Sequence, residues 1–112
     1  MRAAPSIGPA MDTLARLAAT IAARRDADPA ESWVARLSAR GVPVIARKLG
    51  EEAVETVVAA LSGSDEDLTG EAADLLFHLL VLLDAKGVPL SAVLAELERR
   101  EGTSGIAEKA SR

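Results

Sequence analysis

The sequence predicts an all-α fold: a helical bundle of about four to five helices whose core is completed by dimerisation. Three observations lead there. Hydrophobic residues make up 49% of the 112-residue chain, alanine and leucine dominate them, and strand-like alternation is absent. Apolar positions instead recur at helical spacing in one stretch after another. The segment EAADLLFHLLVLL, from Glu71 to Leu83, is apolar around nearly its whole circumference, as in a helix that needs cover on every side. A chain of this length buries only about two-thirds of its unfolded surface, so part of that cover is expected from a second subunit.

The length suits one domain, expected over residues 11–101. Residues 1–10, MRAAPSIGPA, hold two prolines, one arginine and no apolar stretch. They read as a disordered leader rather than a signal peptide, with Met11 as an alternative start. Asp12 is placed to cap a first helix running to about Arg25, with Leu14, Leu17, Ala18 and Ile21 on one face. The run Arg24 to Pro29 breaks it. A short helix from about Ser32 to Arg40 carries Trp33 and Leu37 and stops at Gly41.

Pro43 suits the first turn of a third helix, which continues to about Leu61. Its apolar arc is Ile45, Leu49, Ala53, Val54, Val57 and Leu61. Ser64 followed by Asp67 has the form of a capping box, with Asp in place of the usual Glu or Gln. The fourth helix follows and ends at Lys86-Gly87. A fifth, from about Leu90 to Arg100, is expected to bury Leu90, Val93, Leu94 and Leu97. Gly102, Ser104 and Gly105 make residues 102–112 a flexible tail.

Charge and composition narrow the function. The net charge is −4 and the Lys and Arg residues are scattered, so no basic stripe points to nucleic acid. The apolar run ending at Leu83 is too short to cross a bilayer. With no cysteine, disulfides and thiolate metal sites are excluded, and the composition is compatible with a reducing cytoplasm.

The apolar fourth helix nevertheless carries Glu71, Asp74 and His78. At about 100° of rotation per residue, these fall within roughly 60° of one another. Buried carboxylates need compensation, and no cationic residue lies between Asp65 and Asp84. The third helix offers a matching pair, Glu52 and Glu55, also three residues apart and therefore on one face. A short turn makes the two helices antiparallel neighbours, so the pairs can face each other. Four converging carboxylates repel one another and titrate upward. A hard divalent cation such as Mg²⁺ resolves the conflict, because it takes oxygen ligands and keeps positions for water and substrate phosphates. The plain alternatives are a solvated face for Glu51, Glu52 and Glu55, beside Arg47 and Lys48, and a first-turn acid for Glu71. His78 reads as a core residue or a support for the acids rather than a ligand. Trp33 reads as a packing anchor or subunit contact, with base stacking as the alternative.

At these residues the sequence resembles the phosphoribosyl-ATP pyrophosphatase family, within the all-α (MazG-like) nucleoside triphosphate pyrophosphohydrolases. KLGEEAVETVVAA and EAADLLFHLLVLL carry the resemblance. RRDADPAESWVARL and the ending SGIAEKASR extend it, so that it runs from about Met11 to Arg112. The resemblance implies hydrolysis of phosphoribosyl-ATP to phosphoribosyl-AMP and pyrophosphate, the second step of histidine biosynthesis, with Mg²⁺ and in a homodimer. It implies Glu52, Glu55, Glu71 and Asp74 as catalytic metal-binding positions, with Glu51 as an adjacent acid. Lys48 and the segment Ser32 to Arg36, including Trp33, match positions near substrate phosphates. The chain departs from the family where Tyr-Thr and Lys are usual, having Trp33, Val34 and Arg36, and where Tyr is usual, having Phe77. Each lost hydroxyl removes a phosphate or water contact, and Arg36 keeps the charge in a different geometry. The competing readings are a house-cleaning nucleotide pyrophosphohydrolase with the same carboxylates and, from another class, a non-catalytic helical oligomerisation module.

Overall fold

The computed structural model of the chain describes residues 8–112. Among them are six helices and no strand: α1 (Gly8–Arg24), α2 (Trp33–Arg40), α3 (Val42–Ser62), α4 (Asp65–Ala85), α5 (Leu90–Arg100) and α6 (Gly105–Ser111). The all-α expectation holds. Local chemistry sets most of the boundaries. Ser32 Oγ accepts from Ala35 N at 3.2 Å and caps α2. Gly41 takes φ +89° between α2 and α3, a backbone conformation open to glycine, and Pro43 follows in the first turn of α3. The Ser64–Asp67 capping box closes in both directions, at 3.0 and 3.1 Å, and starts α4.

α3 and α4 form an antiparallel hairpin joined through Gly63 and Ser64. Gly63 belongs there because a Cβ at that position would stand 3.0 Å from both the Ala59 carbonyl and the Asp67 carboxylate. α1 and α2 pack over the open end of the hairpin. The core lies at that end: Ile21 from α1, Val34 and Leu37 from α2, Ile45 from α3, and Leu80 and Val81 from α4. Leu14, Leu17, Phe77, Leu82, Leu83 and Leu90 pack around it. Arg25 Nη1 lies 3.6 Å from Asp84 Oδ1 and ties the end of α1 to the end of α4.

Several burial expectations need correction for the single chain. α4 is not buried all round: Ala73, Asp74 and Leu76 are exposed. On α5, Val93 and Leu94 are half-buried and Leu97 is 54% exposed. Of the α3 arc only Ile45 is fully buried, while Val54, Val57 and Leu61 face outward. At the ends of the chain, α1 begins at Gly8, so residues 8–10 of the expected leader form its first turn; residues 1–7 lie outside the described residues. Most of the tail expected to be flexible is helical. Ser104 Oγ accepts from Ala107 N at 3.0 Å and starts α6, whose Ile106 remains 86% exposed.

Candidate metal centre

On α3, Glu52, Glu55 and Thr56 stand at i, i+3 and i+4, so they share one face. That face meets α4 at Glu71. Glu52, Glu55 and Glu71 each bring a carboxylate oxygen to within 4.8 Å of the other two. The backbone behind them is linked as well: Thr56 Oγ1 lies 2.8 Å from the Glu52 carbonyl oxygen and 3.3 Å from that of Glu71.

No Lys or Arg pairs with the three acids: no ion pair among the described residues reaches Glu52, Glu55, Glu71 or Asp74. Glu52 Oε2 and Glu71 Oε2 are buried and have no hydrogen-bond partner. The titration behaviour follows. Burial pushes the Glu52 carboxyl above its ordinary value, the neighbouring Glu55 carboxylate adds to the rise, and the His78 ring opposes it. Burial also raises Glu71, with the neighbouring Glu55 carboxylate adding to the rise. Asp74 raises both.

The donor set therefore fits a hard cation. It is built of oxygens alone, two of them are left orphaned by burial, and no Lys or Arg pairs with it. A divalent ion bound there would take up the unpaired oxygens and hold the acids ionised.

Not every residue expected at the site is gathered there. Asp74 is exposed and stands outside the converging trio, on the rim one turn beyond Glu71. Its backbone carbonyl accepts from His78 Nδ1 at 2.7 Å; a carbonyl has no proton to give, so Nδ1 carries the hydrogen. His78 is buried and meets Phe77 edge-on, with ring centroids 5.2 Å apart. Its burial agrees with the core reading of it.

Glu51 lies apart from the trio, with Arg47 at 3.8 Å and Lys48 at 3.9 Å. Ser32 is buried and its hydroxyl is occupied in capping α2. Trp33 is exposed beneath the Arg36 guanidinium, 5.9 Å from the ring centroid, and Arg36 Nε donates to the Pro29 carbonyl at 3.1 Å. Sequence reasoning missed Thr56, although its place four residues after Glu52 was a readable signal.

Beside the trio, an open groove of about 480 Å³ runs towards the α3–α4 turn between Val54, Val58, Ala59 and Asp67. A cleft of similar size, about 490 Å³, lies at the opposite end of the hairpin among Ala18, Ala22, Leu80 and Leu83. The charged groups in that cleft are Arg25 and Asp84, which pair with each other. It lacks unpaired acids, so the chemistry points to the carboxylates.

Residues 14–101 match the family model described as phosphoribosyl-ATP pyrophosphohydrolase. The chain is 70% identical over 102 residues to a phosphoribosyl-ATP pyrophosphatase of Erythrobacter litoralis, covering 91% of this chain and 98% of that protein. It is 68% identical over 100 residues to one from Rhizorhabdus wittichii, covering 89% and 94%. A third, from Novosphingobium aromaticivorans, is 66% identical over 101 residues, covering 90% and 94%.

Proposed function

The chain belongs to the phosphoribosyl-ATP pyrophosphohydrolase family, and from that premise we propose that it hydrolyses phosphoribosyl-ATP to phosphoribosyl-AMP and pyrophosphate, in histidine biosynthesis, with Mg²⁺ held by its carboxylates. The observation that carries the Mg²⁺ reading is the trio Glu52, Glu55 and Glu71, drawn from two helices, with two buried oxygens lacking any partner. Asp74 completes the set from the rim. A bound Mg²⁺ supplies Lewis-acid charge that neutralises a triphosphate.

The chain's own residues orient what reacts. In phosphoryl transfer, positioning and charge stabilisation supply most of the catalysis. The glutamates facing each other across α3 and α4 fix the place of the reacting triphosphate, and a carboxylate not engaged by the cation accepts a proton from the attacking water. Lys48, one turn before Glu52, and the Arg36–Trp33 pair are the substrate-facing groups in this reading. Ser32 contributes by holding the first turn of α2 in place.

The homodimer is part of the same proposal. Val54, Val57, Val58, Leu61 and Leu76 are exposed on α3 and α4, and a second subunit gives them cover. No single helix among the described residues is long and apolar enough to cross a membrane. A cytoplasmic place for the enzyme accords with that and with the absence of cysteine.

Pyrophosphate release from phosphoribosyl-ATP, measured with Mg²⁺ and with chelator, tests the proposal. Activity is expected only with the cation. Glu55→Gln and Asp74→Asn are expected to lose about a hundredfold or more, as befits direct ligands when even the outer partners of a metal site are worth about 10–100-fold. Full activity in either variant would sink the site. Turnover of dCTP or dUTP with none of phosphoribosyl-ATP would move the enzyme to the house-cleaning class.

A further inference from the structure

We propose that Thr56 is a positioning residue of the carboxylate centre: its hydroxyl joins the backbones of both ligand-bearing helices and sets the spacing of Glu52 and Glu55 from Glu71. Thr56 Oγ1 donates to the Glu52 carbonyl at 2.8 Å, and the Glu71 carbonyl stands 3.3 Å away on α4. One hydroxyl has one proton, so the two contacts are a shared three-centre bond or two bonds in exchange. Bonding back to the i−4 carbonyl is ordinary for hydroxyl residues in helices. Ser62 does so to Val58 at 3.0 Å and Thr69 to Asp65 at 2.8 Å, both on exposed surface and each within its own helix.

Thr56 differs in two respects. It is half-buried, and its second acceptor belongs to the neighbouring helix. Both carbonyls also belong to residues whose carboxylates converge. The carboxylate and the carbonyl of one residue leave the same Cα, so sliding α3 against α4 moves the ligand oxygens by as much as it moves the carbonyls. Before a cation arrives, the acids push the helices apart, and the bridge at Thr56 opposes that.

The inference rests on the trio being a cation site, and the experiment separates the two claims. Mg²⁺ is titrated calorimetrically into the full chain as wild type, Thr56→Val and Thr56→Ser, with helix content followed by circular dichroism. Wild type is expected to bind. Thr56→Val, nearly the same shape without the hydroxyl, is expected to keep its helix content and bind at least about tenfold more weakly. Thr56→Ser is expected to recover most of that loss. In turnover, Thr56→Val is expected to need more Mg²⁺ for half-maximal rate while KM for phosphoribosyl-ATP at saturating Mg²⁺ changes little. Binding by Thr56→Val equal to wild type, or equal weakening in Thr56→Val and Thr56→Ser, overturns the positioning role. No heat or thermal shift in wild type overturns the cation site itself, before any variant is compared. Should Thr56→Val fold poorly, Thr56→Ala replaces it under the same criteria.

Discussion

The two ends of the α3–α4 hairpin carry similar side chains and meet opposite fates. At the open end, Ile45 and Val81 are fully buried beneath α1 and α2. At the turn end, Val57 is 56% and Leu61 82% exposed, although both continue the apolar arc that begins at Ile45. The carboxylate trio lies between the two. Helical periodicity therefore marks a face that wants cover without saying where the cover comes from: two helices of the same chain at one end, and in our proposal a second subunit at the other.

The largest effect that tests this contrast is at the covered end. Ile45→Ala is expected to cost about 2–5 kcal/mol in urea unfolding, the range for a large-to-small change in a packed core. That cost should not depend on protein concentration. A cost below about 1 kcal/mol would mean that the core is not where the structure places it.

At the bare end the effect should appear in assembly. Val57→Asp is expected to shift the protein from dimer to monomer in sedimentation and to make thermal stability insensitive to concentration, because a dimer is stabilised by mass action. An unchanged dimer would place the subunit contact elsewhere.

A smaller effect comes from the acids between the two ends. Glu52 and Glu71 hold protons more tightly in the folded chain than their ordinary value of 4.5 allows. Their contribution to stability is therefore fully present below that value and lost as pH rises through the raised ones. In chelator, the thermal midpoint is expected to fall as pH climbs above 4.5, and added Mg²⁺ should flatten the fall. Glu71→Gln should flatten it too; an unchanged slope would show that the acids are not its source. Glu96, held below its ordinary value chiefly by its hydrogen bond with Arg99, acts in the opposite sense and on the acid side of 4.5, so the two windows do not overlap.

What the sequence makes legible follows the same division. The α2, α3 and α4 boundaries matched because Ser32, Gly41 and the Ser64–Asp67 box act within a few residues of themselves. Glu52, Glu55 and Glu71 were singled out because spacing by three places acids on one face, and the structure brings them together. α6 escapes the sequence reading although Ser104 caps it locally, because a seven-residue helix that starts at a glycine has little periodicity to read. Asp74 was expected inside and stands at the rim; an apolar flank shows that a helix is hydrophobic, not which of its sides is covered. Thr56 was passed over because a threonine inside a helix is unremarkable until the neighbouring backbone is known to lie 3.3 Å from its hydroxyl.

The sequence by itself determined where the principal helices lie, which residues cap them, that the chain is all-α, and which acids are candidates to act together. Each of these depends on residues one to four positions apart, and the covalent chain fixes those distances once a helix forms. Only the tertiary structure decided that the core gathers at the open end of the hairpin, that three carboxylates converge while the fourth stays at the rim, and that a hydroxyl joins the two helices behind them. Those are relations between surfaces far apart along the chain. Their register and their shared exclusion of water are set by packing, which no single helix contains.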